Sequence, residues 1–124
     1  LKQNLRTYVW EDGWSVEPRH VHKGVEKWRW RYTLTAVRRD STALSIKRPL
    51  RDSIVSDGDT ITVPYQGAAL SEWYRSTSAG IEQGFTINER PLADRSTGPL
   101  KLRGTITTDL VLTKRSKEEL LFAE

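Results

Sequence analysis

The chain contains no cysteine and no methionine, which excludes disulfides, thiolate metal sites, iron–sulfur clusters and a cysteine nucleophile together. Only two histidines occur in 124 residues, so imidazole for serine-type catalysis is scarce, and no Gly-x-Ser-x-Gly elbow accompanies them. Neither a glycine-rich phosphate loop nor a Gly-Lys-Ser/Thr triplet offers a nucleotide site. No run approaches the ~18 apolar residues that a membrane-spanning helix needs. Repeats, low-complexity tracts and linkers are missing too, and no cofactor is expected.

What the chain does have is aromatic bulk. Its apolar fraction is only 36%, yet five Trp, four Tyr and two Phe supply enough large side chains for a few residues to carry a core. The length suits one domain, residues 1–124. Starting at Leu1 rather than Met, the chain reads as a processed or excised segment of a longer protein. Lys and Arg exceed Asp and Glu by 20 to 16, for a formal charge of +4. The cations are scattered, however, and the closest approach to a cluster (Lys27, Arg29, Arg31, Arg38, Arg39, Lys47, Arg48, Arg51) lacks stacking aromatics on the basic face. Nucleic acid is therefore not an expected partner.

Periodicity points to strands. From Lys27 to Ala36 every even position is apolar and every odd one is Lys, Arg or Thr, the period of two of a strand with one buried face. Residues 100–107 repeat the pattern, with Gly104 on the apolar face suggesting a bulge or a close backbone approach. Shorter strands are expected at 5–10, 14–17, 42–46, 60–65, 70–75, 84–88 and 110–113. Glu11-Asp12-Gly13 and Ser56-Asp57-Gly58-Asp59 supply turns between them. Near the end, Ser116 and Glu119 have the spacing of a helical capping box, but Leu120 and Phe122 fit one face of a final strand, which is the preferred reading. About eight to ten short strands with no helices between them predict an all-β fold, an antiparallel β-sandwich.

Several groups could carry function. His20-Val21-His22, with Glu17 or Glu26 nearby, could hold a metal ion, but the sequence specifies no third ligand and no metal site is expected. Glu72 and Glu82 are the acids nearest aromatics, as a glycosidase pair would require, yet no long loops surround them. Trp28 and Trp30 fall on the buried side of their strand, whereas Trp10 and Trp14 bracket a hairpin turn where an exposed ring could stack on a sugar. Gly80-Ile81-Glu82-Gln83-Gly84 reads as a glycine-flanked turn in which Glu82 and Gln83 tie the loop or contact a neighbour. The candidate binding residues are thus Trp10, Trp14, Trp73, Tyr74, Glu82 and Gln83, with no catalytic residue among them.

Trp73-Tyr74 followed by Gly80-Ile81-Glu82-Gln83-Gly84-Phe85-Thr86-Ile87 resembles the Trp-Tyr and Gly-Leu-Glu-Gln-Gly-Phe-Thr signature of an all-β domain that precedes FG-GAP-type β-propeller repeats in secreted bacterial proteins. The family often carries Asn-Gly after the Trp-Tyr pair, where this chain has Arg75-Ser76-Thr77-Ser78-Ala79. The resemblance implies a secreted or cell-envelope location and a non-enzymatic scaffold that packs against neighbouring domains or other extracellular proteins. Polysaccharide binding by exposed tryptophans is the alternative, and an enzyme built on Glu72 and Glu82 comes third.

Overall fold

A computed structural model describes residues 5–19, 27–40, 42–44, 46–66, 70–88 and 98–123. His20, His22 and Glu26 lie outside the described residues. The described chain is an all-β fold in which antiparallel sheets pack on each other. Strands β1 (Leu5–Trp10), β2 (Gly13–Pro18), β3 (Trp30–Arg39) and β4 (Thr42–Leu44) build most of the first sheet. After a single 3-10 turn at Arg51–Ser53, β5 (Val55–Asp57), β6 (Thr60–Pro64), β7 (Leu70–Thr77) and β8 (Gly80–Ile87) form a four-stranded meander. The chain then returns to the first sheet as β9 (Leu100–Thr108), which pairs with β3, and ends in a separate hairpin of β10 (Val111–Arg115) and β11 (Leu120–Ala123).

Ten-residue β3 organises the first sheet. One edge runs against β9 from Trp30↔Thr108 to Arg39↔Leu100, and the other is shared by β2 at residues 30–32 and β4 at residues 37–39. The ladder with β9 steps between Leu34↔Gly104 and Ala36↔Arg103, leaving Thr35 as the extra residue of a bulge. A bulge switches the parity of the faces. Before it Trp30, Tyr32 and Leu34 turn inward; after it Val37 does, and Leu34 and Val37 are both buried. Gly104 sits beside the bulge, whose extra residue is on β3, and what approaches it is the Tyr32 ring rather than a backbone, so close that a Cβ would stand 2.0 Å from it.

The core lies between the sheets. Trp14 and Val16 of β2 meet Val63 of β6 and Tyr74 of β7, while Leu34 and Val37 meet Tyr65 and Leu70. Tyr32 touches both clusters. Trp14 is the hinge of the aromatic packing, its ring 5.1 Å from Trp30 and 5.3 Å from Tyr74 at tilted angles, and each such pair contributes about 0.5–1.5 kcal/mol beyond the area it buries.

Two of the expected elements differ in form, and one strand was not expected. β3 begins at Trp30 rather than Lys27 and continues to Arg39, because the bulge lets the alternation restart after Ala36. β5 was not apparent from the pattern, and with it the described residues hold eleven strands rather than eight to ten. Gly80–Gly84 is not a turn: it is the first half of β8, and the turn before it is the Ser78-Ala79 pair, closed by Thr77 Oγ1, which accepts the Ala79 N–H and donates to the Gly80 carbonyl. Glycine is needed at Gly80 for its φ of 141° and at Gly84 because the Trp73 ring lies where a Cβ would be, 2.0 Å away.

Gly13 combines both constraints, with a φ of +148° and the Tyr32 carbonyl 2.1 Å from the position of a Cβ. The Gly13→Ala variant should therefore lose about 2 kcal/mol or more in urea denaturation. Gly58→Ala, at a φ of +60° with open space around it, should lose only about 1 kcal/mol. Equal losses would show that the approach of β2 to the Tyr32 backbone is not a real constraint.

Candidate functional site

Strand alternation distributes the candidate residues over three environments. Trp14 and Tyr74 face inward and are buried core. Gln83 also faces inward, opposite Tyr74, and its Nε2 donates to Glu72 Oε2 at 3.4 Å. Trp73 and Glu82 lie on the outer face of the second sheet, where Arg75 bonds Glu82 and sets its guanidinium 5.7 Å from the Trp73 ring centre. Trp10 is on the outer face of the first sheet. Glu72 and Glu82 thus point to opposite sides of one sheet, so they do not face each other across a cleft as a hydrolytic pair would.

Inside the sandwich, Glu72 is a buried carboxylate, 1% exposed, placed between Leu70 and Tyr74 by the alternation of β7. Tyr65 Oη donates to its Oε1 at 2.7 Å. The Arg48 guanidinium, anchored by donating Nη1 to the Leu34 carbonyl at 3.2 Å, adds an attractive charge. Burial is the largest influence and raises the Glu72 pKa above its ordinary 4.5, against the opposing pull of Tyr65, Gln83 and Arg48. Tyr32 is pushed up to about 12, first by its own burial and then by the Glu72 charge; the same two causes, with the hydrogen bond between them, raise Tyr65 as well. This polar centre is enclosed, and its hydrogen bonds tie β7 and β8 to Tyr65.

On the outer face of the first sheet, Tyr8 and Trp10 stack nearly parallel, 9° apart with centroids at 5.9 Å. Arg31 reaches across from β3 to place its guanidinium 4.7 Å from the Trp10 ring centre and to donate Nη2 to Asp12 at 2.7 Å. Between them Ser15 lies in register with both Tyr8 and Arg31, completely covered and with no partner for its Oγ. Glu17, the next outward residue of β2, accepts from Arg29 at 3.3 Å. Sequence reasoning singled out Trp10 but not Tyr8, and placed Arg31 in a basic cluster expected to lack aromatics on its face, an expectation that the Tyr8–Trp10 pair beside Arg31 corrects. The signal was the i, i+2 spacing of Tyr8 and Trp10, which puts both rings on one face of a strand.

The β10–β11 hairpin presents a third surface. Its base is tied to β3: Arg29 N–H donates to Asp109 Oδ2 at 3.1 Å, Thr108 Oγ1 donates to the Arg29 carbonyl at 2.8 Å, and Phe122 meets the Trp30 ring edge-on at 6.3 Å. At its tip the Ser116–Glu119 spacing works as a turn, not a helix cap. Ser116 Oγ accepts the Glu119 N–H at 3.0 Å while the backbone closes from Ser116 N–H to the Glu119 carbonyl at 2.9 Å. A hairpin of two strands has little to bury itself against, and Val111 at 60%, Leu121 at 50%, Leu120 and Leu112 stand exposed. The sequence signal was the adjacent pairs Val111-Leu112 and Leu120-Leu121. Neighbours in a strand point to opposite faces, so both faces of this hairpin are apolar.

No protein-family model matches the chain, and no curated protein or solved structure matches it either.

The buried carboxyl makes stability depend on pH in a defined direction. Because the folded pKa of Glu72 lies above the unfolded value of 4.5, its contribution to stability is complete below that pH and is lost as pH rises through the raised value. Glu72→Gln keeps an acceptor for Tyr65 and has no charge to bury. It should gain stability relative to the parent as the solution goes from acidic to neutral, measured as the difference between paired denaturation curves. A difference that does not change with pH would show that burial does not raise the pKa of this carboxyl.

Proposed function

We propose that this domain is a non-catalytic interaction module of a secreted bacterial protein, one that packs against or presents neighbouring extracellular domains. The observation that carries this reading is the terminal hairpin. Large aliphatic side chains meet water on both faces of a two-stranded element, Val111 and Leu121 on one and Leu112 and Leu120 on the other, and large exposed apolar surface marks a protein-binding site. The resemblance of Trp73-Tyr74 and Gly80–Thr86 to a domain of secreted propeller-bearing proteins supports the extracellular setting. A photoreactive benzophenone side chain placed at Leu121 in the producing cells should give discrete protein adducts, whereas the same group at Ser56, an exposed residue on the other sheet, should not. Adducts in equal yield from both positions, or none from Leu121, would remove the reading.

A second reading, saccharide binding, draws on the parallel Tyr8–Trp10 pair beside the Arg31–Asp12 ion pair. Aromatic faces stack on sugar rings while a guanidinium and a carboxylate bond their hydroxyls. Titration of tryptophan fluorescence with neutral and acidic oligosaccharides tests it: quenching that disappears in Trp10→Ala supports the reading, and the absence of quenching with every oligosaccharide ends it.

A further inference from the structure

We propose that the free edge of β1 and the groove beneath it accept an extended acidic segment of a partner protein as an added strand. This rests on the reading of the domain as an interaction module and assigns it a second, separate docking site. β1 is the outermost strand of its sheet, paired with β2 along its whole length, and its other edge has no partner among the described residues. Natural edge strands are usually blunted by proline, an inward charge or a bulge. β1 has none of these: its sequence is Leu-Arg-Thr-Tyr-Val-Trp, its register with β2 is unbroken, and Leu5, Thr7 and Val9 are its inward residues.

A groove of about 630 Å³ opens beside that edge, within the range of about 300–1,000 Å³ that ligand sites occupy. One wall takes in the consecutive residues Leu5, Arg6 and Thr7, which a strand presents together only along its edge because alternate side chains leave on opposite faces. The far wall is the tip of the β7–β8 hairpin, Arg75 to Ser78, and the floor is apolar, made by Ile61, Tyr74 and Ile81 with Leu5 and Val9. An extended segment bonded to β1 would put every second side chain on this floor.

Charge selects the occupant. Arg6 and Arg19 line the groove against one carboxylate, Asp59, while Arg75, which also lines it, has its guanidinium paired with Glu82. Among the described residues Arg19 makes no ion pair, and Arg6 donates only to the Tyr8 hydroxyl, at 3.4 Å, the Glu17 opposite it in register being bonded by Arg29. Arg6 points outward from β1, so the outward residue of an added strand directly opposite it would lie about 4.5–5.5 Å away, Cβ to Cβ. A segment alternating aliphatic with acidic residues satisfies both faces, with main-chain bonds giving affinity and the alternate side chains giving selection.

The test uses a fluorescein-labelled hexapeptide alternating glutamate with valine, titrated by anisotropy. It should bind about tenfold or more tighter than the lysine–valine peptide, and weaken by a similar factor in the Arg6→Glu, Arg19→Glu double variant. Thermal melting of that variant, which changes only exposed side chains, checks that it is folded. Two further peptides carry N-methyl groups on alternate amides, in opposite phase; since an added strand bonds through one set only, one of them should lose binding and the other keep it. Leu121→Asp should leave peptide binding unchanged, so the groove and the hairpin are judged apart. Equal binding of acidic and basic peptides, equal binding of both methylated peptides, or no binding at millimolar peptide would overturn the proposal, whatever the cross-linking at Leu121 shows.

Discussion

The structure depends on one strand having two satisfied edges. β3 must bond β9 along one side and both β2 and β4 along the other, and the bulge at Thr35 is what lets it do so while keeping apolar side chains inward at each end. Without that extra residue, the parity that buries Trp30, Tyr32 and Leu34 would turn Val37 to solvent. Tyr32 then ties the consequences together. Its ring needs Gly104 to be bare, its carbonyl needs Gly13 to be bare, and its side chain joins the two halves of the core.

Much of this was legible in the sequence, for a physical reason. An amphipathic strand at the surface of a core records its burial in its own residues, so the alternation from Trp28 to Leu34, the β1 strand and the Glu11-Asp12 turn could be read locally. Gly104 signalled a bulge, but its place on β3 could not be read, because Ala36 and Val37 are both apolar and either parity fits. Gly80 and Gly84 misled for a related reason. Glycine looks like a turn when read along the chain, but the need at Gly84 is set by the ring of Trp73 on the adjacent strand, a cause that has no local trace.

The candidate residues divide the same way. Alternation in Leu70-Ser71-Glu72-Trp73-Tyr74 already implies that Glu72 shares a face with Leu70 and Tyr74, and the structure bears this out by enclosing it. What the sequence did not show is that Tyr65, from the adjoining strand end, and Gln83 would supply its hydrogen bonds. A buried carboxyl with partners is tolerated where one without them would not be, so the acid beside the aromatics is held in place by the architecture around it. The exposed hairpin is the reverse case, where local pattern signals excess apolar surface and only the coordinates show that nothing in the described chain covers it.

The pairing of β3 with β9 has a consequence for how the domain is made. These strands lie about seventy positions apart in the chain, with the whole second sheet between them, and pairings at such separation close slowly because the loop entropy must be overcome before the contacts form. During synthesis the long edge of β3, with Trp30 and Tyr32 on it, stays open until β9 emerges. That interval is when a nascent chain is most exposed to wrong pairing, and a folding helper would have most effect on this domain then.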